Sequence, residues 1–216
     1  VTIHRMPGWG SFKRNDILVF NFPYQMNRWD SVRMDVMQYY VKRCVALPGD
    51  TLEIRGGFYK VRGCDEQLGN CDAQQYLANL KHPEQHGIVV GTFPYDKQIG
   101  WNIREFGPLP IPKKGQTVMM NRTNCLLYRQ LIGWEQKKKL RIKDGQIVLG
   151  DSVITQYRFK KNYYFVSGDN MANSQDSRYW GMLPEEYIVG KAARVWYSED
   201  KFTEKPRWDR IMKKIK

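Results

Sequence analysis

Short apolar runs of strand length, each closed by proline, glycine or an Asp-Gly pair, constrain this chain more than any other feature. Residues 16–23 (DILVFNFP), 38–47 (QYYVKRCVAL), 51–54, 117–120, 125–130, 140–143, 146–149, 163–166 and 188–197 all have this form. Runs of this length, rich in Val, Ile, Tyr and Phe, read as strands. Pro48-Gly49-Asp50 stops the second run and Gly56-Gly57 breaks the third. Asp144-Gly145 sits where a two-residue hairpin turn needs positive φ. Helix signals are confined to residues 73–80 and the C-terminal tail. The expectation is a mainly β fold with an antiparallel core.

The middle of the chain differs from its flanks. Residues 56–157 hold Cys64 and Cys71, the proline-rich FGPLPIP at 106–112 and the run Lys137-Lys138-Lys139. They read as a second β-rich lobe inserted between two halves of a core, 1–55 and 158–197. A basic tail, 198–216, follows. The lysine run is expected on a solvated strand edge, where like charges discourage edge pairing. Cys64 and Cys71 could close a short-loop disulfide or remain two thiols, and the spacing leaves both readings open. No Cys-x-x-Cys pair exists, and His4, His82 and His86 are not spaced with the cysteines as zinc ligands would be. No metal and no cofactor is expected.

Lys plus Arg number 35 against 22 Asp plus Glu, a net charge of +13 in 216 residues. Such a balance calls for nucleic acid, an anionic membrane face or acidic substrates. No nucleic-acid motif is present and the aromatics are not grouped as a stacking surface, so nucleic acid is not the expected partner. No run of about 18 apolar residues is present to span a bilayer. The tail KFTEKPRWDRIMKKIK spaces Trp208, Ile211, Met212 and Ile215 as a helix would, among five lysines and two arginines. It reads either as a basic segment lying on anionic lipid or as a short helix packing Trp208 on the core.

Two segments carry potential chemistry. In a strand through Tyr39-Tyr40-Val41-Lys42-Arg43, alternate residues share a face. Tyr40, Lys42, Cys44 and Ala46 then point one way, which makes Lys42 the single charge on an otherwise weakly polar face. Burial there favours the neutral amine, and a neutral amine can act as a base. From the strand alone, an exposed lysine with its stem packed on Tyr40 is the better fit. The second segment, SGDNMANSQDSRYWG at 167–181, is dense in hydroxyls and carboxylates. Ser174 and Asp176 could orient an amine, or the loop could simply bond its own backbone.

The two segments together resemble bacterial type I signal peptidases. The resemblance rests on Tyr40-Val41-Lys42-Arg43 running to Leu47-Pro48-Gly49-Asp50, and on Gly168-Asp169-Asn170 continuing through Asn173-Ser174-x-Asp176-Ser177-Arg178-Tyr179-Trp180-Gly181. It extends to Arg14-Asn15-Asp16-Ile17-Leu18-Val19-Phe20, with Asn15 where the family usually has Gly, and to Val189-Gly190-Lys191-Ala192. Residues 106–114 and Arg207-Trp208-Asp209-Arg210 are similar to the Bacteroidetes-type branch.

The resemblance implies a mostly antiparallel β serine endopeptidase with a serine–lysine dyad. Such an enzyme removes signal peptides from exported preproteins on the outer face of the cytoplasmic membrane. By position Lys42 would be the general base, with Ser174 and Asp176 orienting it, and Tyr39, Tyr40 and Val41 would line the peptide-binding strand. The family's nucleophile belongs to a Ser-Met-x-Pro-Thr box. None of the seven serines, Ser11, Ser31, Ser152, Ser167, Ser174, Ser177 and Ser198, is followed by Met-x-Pro. Met171-Ala172 also stand where the family usually has Arg-Asp. The expectation is a truncated chain that begins downstream of its membrane anchor and serine box. The alternative is a catalytically inactive homologue that binds peptides or organises secretion.

Overall fold

The computed structural model describes residues 10–25, 29–200 and 202–215. His4, Arg5-Met6-Pro7, Lys201 and Lys216 lie outside the described residues.

The architecture is mainly β, in several antiparallel sheets. The largest has five strands: β1 (Ile17–Phe22), β2 (Asp35–Ala46), β11 (Tyr163–Ser167), β12 (Leu183–Pro184) and β13 (Ile188–Lys191). Their order is β12-β11-β2-β1-β13, so strands from both ends of the chain meet side by side. β2 is the long spine. Against β1 it sets Leu18 opposite Lys42, Val19 opposite Val41 and Phe20 opposite Tyr40. Against β11 it pairs only at Arg43, Cys44 and Ala46. Among the described residues, the stretch 37–42 therefore has a neighbouring strand on one side only.

The remaining strands form three small sheets. One joins β3 (Thr51–Arg55), β4 (Phe58–Val61) and β5 (Phe106–Pro110) in the order β4-β3-β5. A second pairs β6 (Thr117–Met119) with β10 (Gln156–Arg158). The third runs β7 (Leu140–Lys143), β8 (Gln146–Leu149) and β9 (Ser152–Val153), with Asp144 and Gly145 both at positive φ in the first turn. β5 forms in spite of its prolines because it needs few ladder bonds at a sheet edge. Its Gly107 lies so close to β3 that an added Cβ would fall 2.5 Å from the Leu52 carbonyl oxygen.

Two helices accompany these sheets. α1 (Cys71–Asn79) starts two residues earlier than the periodicity suggests, because the Asn70 side chain accepts from the Ala73 N–H and caps it. α2 (Arg122–Gln136) corrects the strand expected at 125–130. Cys125, Tyr128, Leu131 and Ile132 recur at three- and four-residue steps and are all buried. The Asn121 side chain caps the start by accepting from Asn124 N–H. Three further expectations change. The strand expected over 188–197 stops at Lys191. The tail forms turns with isolated bridges, Arg194 to Lys214 and Glu199 to Pro206, instead of a helix. Lys137 caps the end of α2 with φ 52° and is not on a strand edge. Cys64 and Cys71 carry free thiols. Among the described residues no helix is long and apolar enough to cross a membrane.

Candidate active site

The site forms where β2 runs past the end of β11. Parity along β2 turns Tyr40 and Lys42 towards the buried side chains of β1, and Tyr39 and Val41 away from them. Tyr39 and Val41 are 58% and 56% exposed. Tyr40 stacks against Phe20 and Phe22, with its centroid 4.6 Å from that of Phe22. Its hydroxyl donates to Gln175 Oε1 at 3.2 Å. The Lys42 ammonium nitrogen sits 5.6 Å from the Tyr40 ring centroid and donates to Ser174 Oγ at 3.0 Å. Burial holds Lys42 below the usual lysine range. The Asp176 carboxylate pulls the other way, the Arg178 charge reinforces the lowering, and Asp169 opposes it.

Ser174 is delivered by the loop after β11, and a buried ion pair ties that loop shut. Asp176 and Arg178 are both fully buried. Arg178 grips the carboxylate with a two-toothed fork, Nε to Oδ1 and Nη2 to Oδ2, both at 2.9 Å. Arg178 Nη2 also donates to the Met171 carbonyl at 2.9 Å. Asp176 accepts the Gly168 N–H at 3.0 Å and, from Arg178 N–H at 3.2 Å, caps α3 (Ser177–Trp180). Both ends of the loop are thus fastened to one carboxylate. Burial by itself would raise the Asp176 pKa. The Arg178 charge, aided by hydrogen bonds from Arg178, Gly168 and Ser174, outweighs it and holds the carboxyl below its ordinary value. On the other face of β2, Arg43 forks onto Asp169 at 2.8 and 2.7 Å, which fixes the start of the same loop.

Gly168 owes its identity to contact, not to backbone freedom. A Cβ there would lie 2.0 Å from Ser174 Oγ and 3.2 Å from the Lys42 nitrogen. Gly168→Ala is therefore expected to expel the Ser174 hydroxyl and break its bond to Lys42 while the sheet persists. An unchanged crystal position for Ser174 in that variant would refute this.

The other hydroxyls nearby are committed elsewhere. Tyr59 OH donates to Ser167 Oγ at 2.7 Å, and Ser177 Oγ accepts the Val166 N–H at 3.0 Å. The structure brings together Lys42, Tyr40, Ser174 and Asp176. It sets Tyr39 and Val41 on the far face, although their backbone belongs to the stretch of β2 with one open side. Nothing in the sequence singles out Gln175, which holds the Tyr40 hydroxyl, or the contact that requires glycine at 168. Among the described residues no group of three or more His, Cys, Asp or Glu is placed to hold a metal ion.

Residues 2–197 match the model of the family described as signal peptidase, peptidase S26, and the chain belongs to that family. Among its relatives, the signal peptidase I of Buchnera aphidicola subsp. Acyrthosiphon pisum is 58% identical over 197 residues, 87% of this chain and 55% of that protein. The signal peptidase I of Aquifex aeolicus is 50% identical over 188 residues, 86% of this chain and 63% of that protein. The chain therefore spans little more than half the length of these curated relatives. A crystal structure of a signal peptidase I from Enterococcus faecalis overlays loosely, with a TM-score of 0.40 at 19% identity, over 86% of this chain and 99% of that one.

Proposed function

We propose that this chain forms most of the catalytic domain of a signal peptidase I that removes signal peptides from exported preproteins with a serine–lysine dyad. In this reading Lys42 is the general base, Ser174 and Asp176 orient it, and the nucleophilic serine comes from outside these 216 residues. The observation that carries the reading is the half-buried Lys42 amine held 3.0 Å from Ser174 Oγ beside an open strand.

The chemistry follows from the amine. A neutral Lys42 takes the proton from the nucleophile's hydroxyl as its oxygen attacks the peptide carbonyl. The resulting ammonium gives that proton to the departing amine, which leaves an acyl-enzyme. Water, deprotonated by the same nitrogen, then releases the signal peptide. The signal peptide adds as an extended strand to the free side of residues 37–42, where main-chain bonds supply affinity and alternate side chains enter pockets. Tyr40 forms a wall next to Lys42, and Tyr39 and Val41 contribute backbone. No cofactor, metal or nucleic acid takes part.

The domain works at the outer face of the cytoplasmic membrane. Its tail, with Phe202 and Trp208 at 97% and 76% exposure among basic residues, meets anionic lipid. A membrane-free preparation of these residues is expected to leave preproteins uncut. The test is a full-length enzyme incubated with a preprotein in lipid: a new N-terminus after a small residue is expected, and an intact preprotein would overturn the reading. The second reading, an inactive peptide-binding homologue, draws on the lack of a Ser-Met-x-Pro box in these residues, and the same assay separates the two.

Ser174→Ala in that enzyme is expected to slow cleavage by about ten- to a hundredfold, the loss of one hydrogen bond to a charged group. Acyl-enzyme should still form, measured by single-turnover trapping. Its disappearance would make Ser174 the nucleophile.

A further inference from the structure

The three consecutive lysines after α2 stand around a cavity. Gly133 makes this possible: an added Cβ there would lie 3.2 Å from the Lys138 carbonyl oxygen. Without a side chain at 133, the chain doubles back, and the Lys137 and Lys138 N–H groups both donate to the Gly133 carbonyl. The Lys138 stem lies over Gly150, which anchors the turn. The resulting cavity is about 630 Å³, with Lys137, Lys138 and Lys139 joined in its wall by Arg129, Arg141 and the half-buried Trp134.

The charges in this wall are unbalanced. Among the described lining residues Asp30 is the one carboxylate, against five cations. Among the described residues, Arg129, Lys137, Lys138 and Lys139 join no ion pair, and Arg141 reaches only the Gly150 carbonyl at 3.4 Å. Cations near a helix C-terminus are ordinary complements to its dipole. That accounts for Lys137 but not for Arg129, about two turns back along α2, or for Arg141 on β7. A second cavity of about 410 Å³ shares Asp30, Arg129 and Gln130 with the first. Trp29 and Trp180 line it, and among the described residues neither buried indole N–H has a partner. The second space sets Arg129 against Asp30 and adds the two indole donors, so the excess of positive charge belongs to the first.

We propose that this basic cavity binds a ligand bearing two neighbouring phosphates. Arginine forks and lysine point charges suit phosphate oxygens. A diphosphate nearly balances the excess charge, and the Trp134 ring offers an apolar wall for the rest of the ligand. The site goes beyond the peptidase reading and stands whether or not that reading holds. The source is either a soluble diphosphate or a lipid headgroup with two phosphates.

The test titrates the protein with inorganic pyrophosphate by calorimetry, and in parallel floats it with phosphatidylcholine vesicles with or without cardiolipin. Arg129→Glu/Lys139→Glu reverses two wall charges, and Lys60→Glu/Lys81→Glu reverses two exposed charges away from the wall and the tail as a control for net charge. Lys139→Gln/Arg141→Gln is the milder second wall variant if the first fails to fold. Saturable binding to at least one probe is expected, weakened about tenfold or more by a wall variant, as for lost charge-assisted bonds, and little changed by the control variant. Loss on the pyrophosphate arm assigns the soluble source, and loss on the cardiolipin arm alone assigns the lipid. No saturable binding on either arm, or equal weakening by wall and control variants, overturns the proposal.

Discussion

Replacing Lys42 by alanine in a full-length enzyme is expected to lower the single-turnover rate of preprotein cleavage by about 10³-fold or more, within the range for removing a positioned base. Lys42→Arg should be no better, because a guanidinium stays charged at any working pH and cannot take a proton. The pH dependence has a definite sign. Burial lowers the Lys42 pKa, so more neutral amine is present near neutrality than on an exposed lysine. The rate should rise with pH through the Lys42 pKa and level off above it. Its midpoint should lie below the ordinary lysine value of 10.5. A rate that is flat from neutral to alkaline pH, or a Lys42→Ala enzyme within about threefold of the parent, would remove Lys42 from the role of base.

Arg178→Met is expected to cost the fold about 3–5 kcal/mol, the usual penalty for leaving one half of a buried pair uncompensated. The measurement is the urea midpoint at unchanged slope. The variant should also reverse the acid response. In the parent, the Asp176 pKa is depressed in the folded state below its ordinary 3.8. Its stabilisation is therefore complete above that value and is lost as pH falls through the lower, folded value. Without Arg178, burial dominates and raises the folded pKa, so protonating Asp176 stabilises the variant as pH falls. Comparing midpoints between about pH 5 and pH 2 tests both signs, and parallel curves would refute the account. A deficit under about 1 kcal/mol would mean that water or a neighbour replaces the guanidinium.

Much of the fold was legible from local pattern. The runs of β1, β2 and β11 carry β-branched and aromatic residues between clear stops, and the Asp144-Gly145 turn declares its hairpin. The strand expected at 125–130 is a helix; six residues, Cys125-Leu126-Leu127-Tyr128-Arg129-Gln130, are too few to separate the two periods. The buried positions Leu131 and Ile132 and the Asn121 cap decide for helix, and they lie outside that window. At the candidate site, Lys42, Ser174 and Asp176 stood out in the sequence, but their meeting depends on strand pairing across more than 120 residues. The need for glycine at 168 was hidden for the same reason. Its constraint comes from Ser174 and Lys42 in space, whereas the sequence around it suggests only a turn.

The one-sided stretch of β2 has a consequence for handling the molecule. An unpaired strand is an adhesive edge for any other strand, including one from a second copy. Met37, Gln38, Tyr39, Tyr40 and Val41 carry no charge to repel such a guest, and Met37 is 84% exposed. In the proposed function this edge receives an extended peptide; in a concentrated solution without one, a strand of a second molecule can pair there instead. Short peptides or detergent that occupy this edge should therefore act as solubility agents as well as competitors.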